Sequence, residues 1–453
     1  MADTIAAIGS GKIPCAIGIL RLSGDDCAQI ANQVFTLQAG IPIWEAPNRK
    51  LMIGTLQDVQ GRVIDRALMV YTRAPHTYTG EDTVELQCHG SPAVLAAGLE
   101  ALFAAGARQA RAGEFTKRAF LNGQMDLTQA EAVIDLIDAE TTDAAANAAG
   151  QVGGTLVRKL DPIYQSLVDL CSHFHAVLDY PDEDIEDFQL ESFSAMLEDN
   201  AAQLTRMLDT CTRGQYLKHG VQTVLLGKPN VGKSSLLNAL AGFDRVIVTD
   251  IPGTTRDTVE QTVKLGRTLF RLLDTAGIRQ TDNQIEAMGV ERSRQAAEQA
   301  DLALFLCDGS KPLSDEDREA MQAAGLAKHT IGVINKCDLP QAVKPEDLPF
   351  DQVYSISAKG GQGLEELSAA AQALFTDATP CDGSILTNTR QADAVRRARD
   401  AMQAALTGLY AHTTPDAVLL DVEAAMEAMG ELTGKTIRED ITQRIFERFC
   451  VGK

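Results

Sequence analysis

Residues 227–234 read Gly-Lys-Pro-Asn-Val-Gly-Lys-Ser, and this stretch dictates its own surroundings. A G-x-x-x-x-G-K-S loop cradles phosphate only between a strand and a helix. Its glycines curl the backbone until several N–H groups face phosphate oxygens, and the following helix adds its positive end. Residues 222–226, Gln-Thr-Val-Leu-Leu, supply the strand, and the residues from Lys233 onward supply the helix. Lys233 is expected on the β- and γ-phosphates and Ser234 on Mg²⁺.

Further motifs define the nucleotide. Asn335-Lys336-Cys337-Asp338 follows the apolar run 330–334. The Asp338 carboxylate can accept two N–H bonds from a guanine edge, and adenine would leave it unpaired. Ser357-Ala358-Lys359 follows the next strand and strengthens this reading. Asp274-Thr275-Ala276-Gly277 ends a strand over 268–273. Asp274 is expected to hold Mg²⁺ through water. The Gly277 amide is expected to sense the γ-phosphate, so that its loop orders with GTP and relaxes on hydrolysis. Thr254 and Thr255 supply a second switch, with Thr255 as the other Mg²⁺ hydroxyl. The expected GTP-contacting set is Asn230, Val231, Gly232, Lys233, Ser234, Ser235, Thr249, Asp250, Ile251, Pro252, Gly253, Thr254, Thr255, Asp274, Thr275, Ala276, Gly277, Asn335, Lys336, Asp338, Ser357, Ala358 and Lys359. Where Ras-type GTPases place a water-orienting glutamine, this chain has Ile278, which cannot orient water. The main candidate carboxylate downstream is Glu286, against the plainer alternative of a solvated loop glutamate. Gly9-Ser10-Gly11-Lys12 resembles a fragment of the phosphate loop but lacks its spacing, and reads as a turn.

The chain has 453 residues, enough for roughly three domains. Residues 1–118 alternate strand-like runs (15–22, 50–56, 83–88) with a helix over 91–105. Helical stripes follow: Leu156, Leu160, Ile163, Leu167, Leu170, Phe174 and Val177, then Leu197, Leu204 and Leu208. Pro162 is expected to kink or start the first of these helices. The acidic stretch 179–187 reads as a solvated turn. Residues 216–376 alternate strands and helices as in a doubly wound sheet. Helical spacing returns with Ala394, Ala398, Ala401, Ala405 and Leu409, then Leu419, Val422, Met426 and Met429. Neither flanking helical segment buries its stripe alone. They are therefore expected to pack on each other, as one domain (119–215 and 377–453) into which the nucleotide domain is inserted.

A net charge of −21 excludes a broad basic surface for nucleic acid, so a partner or a local patch must supply much of any such attraction. No apolar run approaches ~18 residues, so no membrane span is expected. No secretory signal is visible. Nine cysteines without a Cys-x-x-Cys pair point to a reducing, cytoplasmic setting. His173 falls on a different helix face from Cys171 and His175, which disfavours zinc there.

Other stretches carry a resemblance. Asp3-Thr4-Ile5-Ala6, residues 17–24 (Ile-Gly-Ile-Leu-Arg-Leu-Ser-Gly), Tyr78-Thr79-Gly80-Glu81-Asp82, Gly113-Glu114-Phe115, residues 118–123 (Arg-Ala-Phe-Leu-Asn-Gly), residues 127–132 (Leu-Thr-Gln-Ala-Glu-Ala) and Phe449-Cys450-Val451-Gly452-Lys453 accompany the GTPase motifs. With them the chain resembles, end to end, the bacterial and organellar tRNA-modification GTPase family MnmE, also called TrmE. The resemblance implies an α/β plus α fold: an N-terminal α/β tetrahydrofolate-binding domain that dimerises, a discontinuous helical domain and an inserted Ras-like G domain. It implies G domains that meet across K⁺, with Asn230, Thr249, Ile251 and Thr254 as its ligands, and a catalytic Glu286 with Arg279 in the same switch. It further implies a homodimer that works with an FAD-containing flavoprotein, MnmG (also called GidA), in a heterotetramer-type complex. That complex installs an aminomethyl or carboxymethylaminomethyl group on carbon 5 of the wobble uridine of certain tRNAs. The carbon comes from 5,10-methylenetetrahydrofolate, or a 5-formyl analogue occupies the site, and glycine or ammonia supplies the nitrogen.

The family's folate contacts map onto Arg21, Glu85, Gln124 and Lys453. Gln124 stands where the family usually has a lysine, and Gly9-Ser10-Gly11-Lys12-Ile13-Pro14 replaces its Thr-Pro-Pro-Gly loop. Pro252 is a milder departure. Cys450 reads as a small buried hydrophobe near the folate pocket, with a nucleophile as the alternative. Two other readings compete: a GTPase switch in ribosome assembly, and a regulatory GTPase whose N-terminal domain binds no folate.

Overall fold

In the computed structural model the described residues are 3–11, 13–179, 190–243, 260–274, 294–376, 380–435, 445–447 and 449–452. They form two compact units, one of residues 1–134, 152–193 and 404–453, the other of residues 135–151 and 194–403.

The first unit is built on a seven-stranded sheet: β1 (Ile5–Ile8), β2 (Cys15–Ser23), β3 (Phe35–Leu37), β4 (Met52–Gln57), β5 (Val63–Thr72), β6 (Thr83–Gly90) and β7 (Arg108–Gln109), in the order β3-β4-β5-β6-β2-β1-β7. All neighbours are antiparallel except β1 and β7. Alternation sets one face: Ala67, Met69 and Tyr71 of β5 point into a core shared with the helices Cys27–Val34 and Pro92–Ala104. Gly9 to Gly11 lie in the connection from β1 to β2, as expected of a turn, and the Gly9 amide donates to Ile19 O at 2.8 Å.

In the same unit the helix Thr155–Asp179 packs against the helix Pro415–Thr433. Leu156, Leu160, Ile163, Leu167, Leu170 and Phe174 are all buried, so the predicted stripe up to Phe174 is the seam, and the Val177 side chain lies outside the described residues. Pro162 lies inside this helix and does not start it. His175 pairs with Glu423 at 3.1 Å, which gives that histidine a partner across the seam. The acidic stretch falls largely outside the described residues.

The second unit carries a six-stranded sheet: β8 (Val221–Leu226), β9 (Glu260–Leu265), β10 (Thr268–Asp274), β11 (Leu302–Asp308), β12 (His329–Asn335) and β13 (Val353–Ile356), in the order β13-β12-β11-β8-β10-β9. Only β9 runs antiparallel. Both faces are buried. Leu302, Leu304 and Leu306 of β11 join one core, and Ala303, Phe305 and Cys307 join another. Near-continuous apolar strands of this kind are what a sheet covered on both sides requires. The chain leaves β8 for β10 on one side and reaches β11 on the other. The end of β8 is therefore a topological switch point, where ligands bind in such sheets.

Candidate nucleotide site and the N-terminal Arg21 cluster

The phosphate loop starts where β8 stops. Gly227 and Gly232 have φ of +146° and +106°, values open to glycine. A Cβ on Gly227 would collide with the Leu306 carbonyl of β11, and one on Gly232 with the side-chain amide of Asn335. Asn230 takes a left-handed φ of +64°, which asparagine tolerates. Val231 is buried and pins the loop to the sheet core, and the helix Lys233–Phe243 follows with Ser234 and Ser235 exposed at its start.

Asn335 ties the motifs together. Its Nδ2 donates to Val231 O at 2.8 Å, and its Oδ1 accepts from Lys336 N at 2.8 Å and Ala358 N at 3.0 Å. One buried amide thus joins the glycine loop, the Asn335-to-Asp338 turn and the Ser357-Ala358-Lys359 turn. Ser357 is itself buried and accepts from the Gly360 amide at 3.0 Å, while Asp338 is exposed. Asp274 ends β10 opposite Leu225 of β8, which puts its backbone beside the loop. Thr249 to Thr255, Thr275 to Gly277, Arg279, Glu286 and Lys453 lie outside the described residues.

The cations of the site rest on carbonyls and carboxylates. Lys233 Nζ donates to Gly227 O and, at 3.0 Å, to Lys228 O. Lys336, at φ +66°, reaches Asp308 Oδ2 at 2.6 Å and Asn230 O at 3.4 Å. Burial pushes the Asp308 carboxyl up, but the hydrogen bonds from Lys336 and Ser310 outweigh it and hold it below the ordinary carboxylate range. The sequence reading missed Asp308. Its signal was a carboxylate at the C-terminal end of an apolar parallel strand. The lining fits a nucleotide: the glycines leave room at the loop, and Lys233 leans on neutral carbonyls that it can exchange for phosphate.

In the first unit Arg21 and Glu85 face each other across β2 and β6 and pair at 2.7 Å, both about a quarter exposed or less. The Arg21 guanidinium lies 5.5 Å from the Tyr78 ring centre and 5.7 Å from that of Phe115. Gln124 abuts Gly80, whose added Cβ would come within 3.1 Å of its Nε2. The end of the chain runs past the same sheet: Val451 bridges Ala112, and a Cβ on Gly452 would strike Ile8 O. Arg21, opposite Ala7 of β1 and Glu85 of β6, thus lies one register step from the Ile8 carbonyl that Gly452 approaches. Cys450 corrects the expectation of a buried thiol. It is exposed, because neighbouring Phe449 takes the inward place beside Phe446.

Ser23, Thr79, Glu81, Glu114, Arg118 and Asp3 form one polar network. Glu81 Oε2 accepts from Ser23 at 2.7 Å and from Arg118 at 2.9 Å, and Arg118 also reaches Asp3 at 2.8 Å. The Arg108 and Arg118 guanidinia hold the Asp3 carboxyl down to about 2 against partial burial. These motif residues brace the loop that carries Tyr78.

Residues 4–124 match the GTP-binding protein TrmE N-terminus, and residues 127–450 match the MnmE helical domain. The tRNA modification GTPase MnmE of a Roseiflexus species is 42% identical, over 100% of this chain and 99% of its own length. That of Clostridioides difficile is 38% identical, again over 100% of this chain and 99% of its own. Among solved structures, Aquifex aeolicus Era bound to GDP and AlF₄⁻ overlaps 40% of this chain and 67% of its own length, at 28% identity and a TM-score of 0.27. With both domain matches and full-length relatives in agreement, the chain belongs to the MnmE (TrmE) family of tRNA modification GTPases.

Proposed function

We propose that this protein hydrolyses GTP and, with a flavoprotein partner of the MnmG type, adds an aminomethyl or carboxymethylaminomethyl group to carbon 5 of the wobble uridine of certain tRNAs. The observation that carries the GTP part is the single amide of Asn335, which ties the glycine loop, the Asn335-to-Asp338 turn and the Ala358 turn into one cradle. The tRNA part rests on relatives that bear that name over their whole length.

In this reading residues 1–118 bind folate and dimerise, 119–215 and 377–453 form the helical domain, and 216–376 form the G domain. Lys233 and the loop amides hold the phosphates, Ser234 and Thr255 hold Mg²⁺ with Asp274 behind a water, and Asp338 reads guanine. Asn230, Thr249, Ile251 and Thr254 hold K⁺, which would neutralise charge building on the β–γ bridge, and Glu286 with Arg279 assists hydrolysis. Arg21, Glu85, Gln124 and Lys453 hold a tetrahydrofolate. Its carboxylates suit the cations and its pterin edge suits Glu85. Exposed Ile17, Ile53 and Val63 on the N-terminal sheet favour a homodimer over an isolated subunit. G-domain closure would reorient the helical segments. No described helix is long and apolar enough to cross a membrane.

Mass spectrometry of tRNA nucleosides from cells lacking the protein tests this. Loss of aminomethyl-type wobble uridines, restored by wild type and not by Asp338→Asn, is expected. An unchanged nucleoside profile would overturn the modification role.

A further inference from the structure

Lys228 follows Gly227 at the start of the phosphate loop, yet its charge is committed elsewhere. Its Nζ donates to Asp317 Oδ2 at 2.6 Å and to Ser314 Oγ at 3.2 Å. Asp317 lies in the first turn of the helix Asp315–Ala324, where Oδ2 also accepts from Ser314 N at 2.9 Å and Ser314 Oγ at 2.7 Å in a capping box. Its side chain is 1% exposed, and its buried Oδ1 has no hydrogen-bond partner among the described residues. An exposed pair would matter little, but a carboxylate this buried depends on its counter-ion. On the other side Gly227 abuts the Leu306 carbonyl. The start of the loop is thereby fixed between β11 and a helix on the far side of the motif. The fixed residue also offers the carbonyl on which Lys233 Nζ rests.

We propose that Lys228 and Asp317 are positioning residues for the nucleotide: their ion pair holds the first turn of the phosphate loop in the shape that presents its amides and Lys233 to phosphate. The pair acts through the loop and does not touch the reacting atoms. Its loss therefore weakens binding and leaves turnover of the bound nucleotide alone. This inference rests on the GTP reading above. The sequence offers no local sign of it, since the two residues stand 89 apart.

The test uses the full-length protein, the fluorescent nucleotide mant-GDP for affinity and steady-state GTP hydrolysis for the split between KM and kcat. A buried charge-assisted hydrogen bond corresponds to about tenfold or more in equilibrium terms, so Lys228→Met is expected to weaken mant-GDP and raise KM by about that factor with kcat within about twofold. Lys228→Arg, which keeps the charge, should recover most of the affinity. Asp317→Asn should match Lys228→Met, and the double variant should be no worse than either. Ser314→Ala removes the helix cap and the longer Lys228 contact but keeps the 2.6 Å Lys228–Asp317 bond, so it should lower the melting temperature and cost distinctly less affinity than Lys228→Met. Wild-type affinity in Lys228→Met, or Ser314→Ala losing as much affinity as Lys228→Met, would overturn the inference while the GTP reading stands. A wild-type protein that binds no mant-GDP would overturn both.

Discussion

The Asn335 side-chain amide donates to the Val231 carbonyl at 2.8 Å, across 104 residues of chain. Val231 is buried in the glycine loop after β8, and Asn335 ends the strand that leads into the Asn335-to-Asp338 turn. The same amide oxygen takes two further backbone N–H bonds, from Lys336 and Ala358. Nucleotide affinity and stability of the second unit are therefore expected to be coupled through this one residue.

Asn335→Ala removes all three bonds and strands a buried carbonyl and two amides. Since an unsatisfied buried group costs about 1–3 kcal/mol, the G domain should lose at least ~2 kcal/mol of stability along with measurable nucleotide affinity. Urea unfolding of the variant beside wild type checks it. A loss of affinity without loss of stability would show that Asn335 acts only through the ligand.

Asp308 gives a pH dependence with a definite sign. Burial raises its carboxyl, but Lys336 and Ser310 bring the net value below the ordinary one. A depressed folded-state value stabilises the protein above the unfolded value of about 4, and this contribution fades as pH falls through that value toward the lower folded one. Asp308→Asn should therefore be less stable than wild type at neutral pH, with the gap narrowing toward about pH 4 and below. Unfolding midpoints across that range would expose a pH-independent gap if packing rather than charge is responsible.

Local rules made much of this readable from sequence alone. Strand, glycine loop and helix must adjoin at residues 222–243, and a four- and three-residue apolar step must become a helix seam, as Leu156 to Phe174 do. What stayed hidden depends on three-dimensional proximity. Nothing near Asn335 announces Val231, nothing near Lys228 announces Asp317, and nothing near Arg21 announces that Tyr78 and Phe115 will flank it. Cys450 was misread because a small thiol beside a phenylalanine resembles a core residue until the chain's alternation decides which of the two turns inward.

Gln124 lies against Gly80, one loop residue from Thr79 and two from the Tyr78 that flanks Arg21. If this pocket takes an anionic folate, Gln124→Lys should tighten binding of 5-formyltetrahydrofolate by roughly fivefold, the scale of one added charge-assisted contact at a partly exposed site. Glu85→Gln should weaken it while changing stability by under ~1 kcal/mol, because the Arg21 pair is only partly buried. Calorimetric titration of both variants reads the two effects. Binding that neither substitution moves would remove Glu85 and Gln124 from the folate site.

Arg267 and Asp143 pair within the second unit, where the turn between β9 and β10 meets the helix Thr142–Val152. The two partners are unequal: the Asp143 side chain is 7% exposed and that of Arg267 is 67% exposed. Removing the arginine leaves a buried carboxylate without its main cation, whereas removing the carboxylate's charge releases an arginine already in water. Arg267→Ala should therefore cost about 1–3 kcal/mol, and Asp143→Asn distinctly less. The double variant should recover part of the loss, since taking away both charges is closer to neutral than taking away one. Three unfolding curves decide it. Equal costs for the two single changes would mean that Asp143 is hydrated or otherwise paired once Arg267 is gone. In that case the turn leading into β10, and through it Asp274, is held by packing rather than by this ion pair.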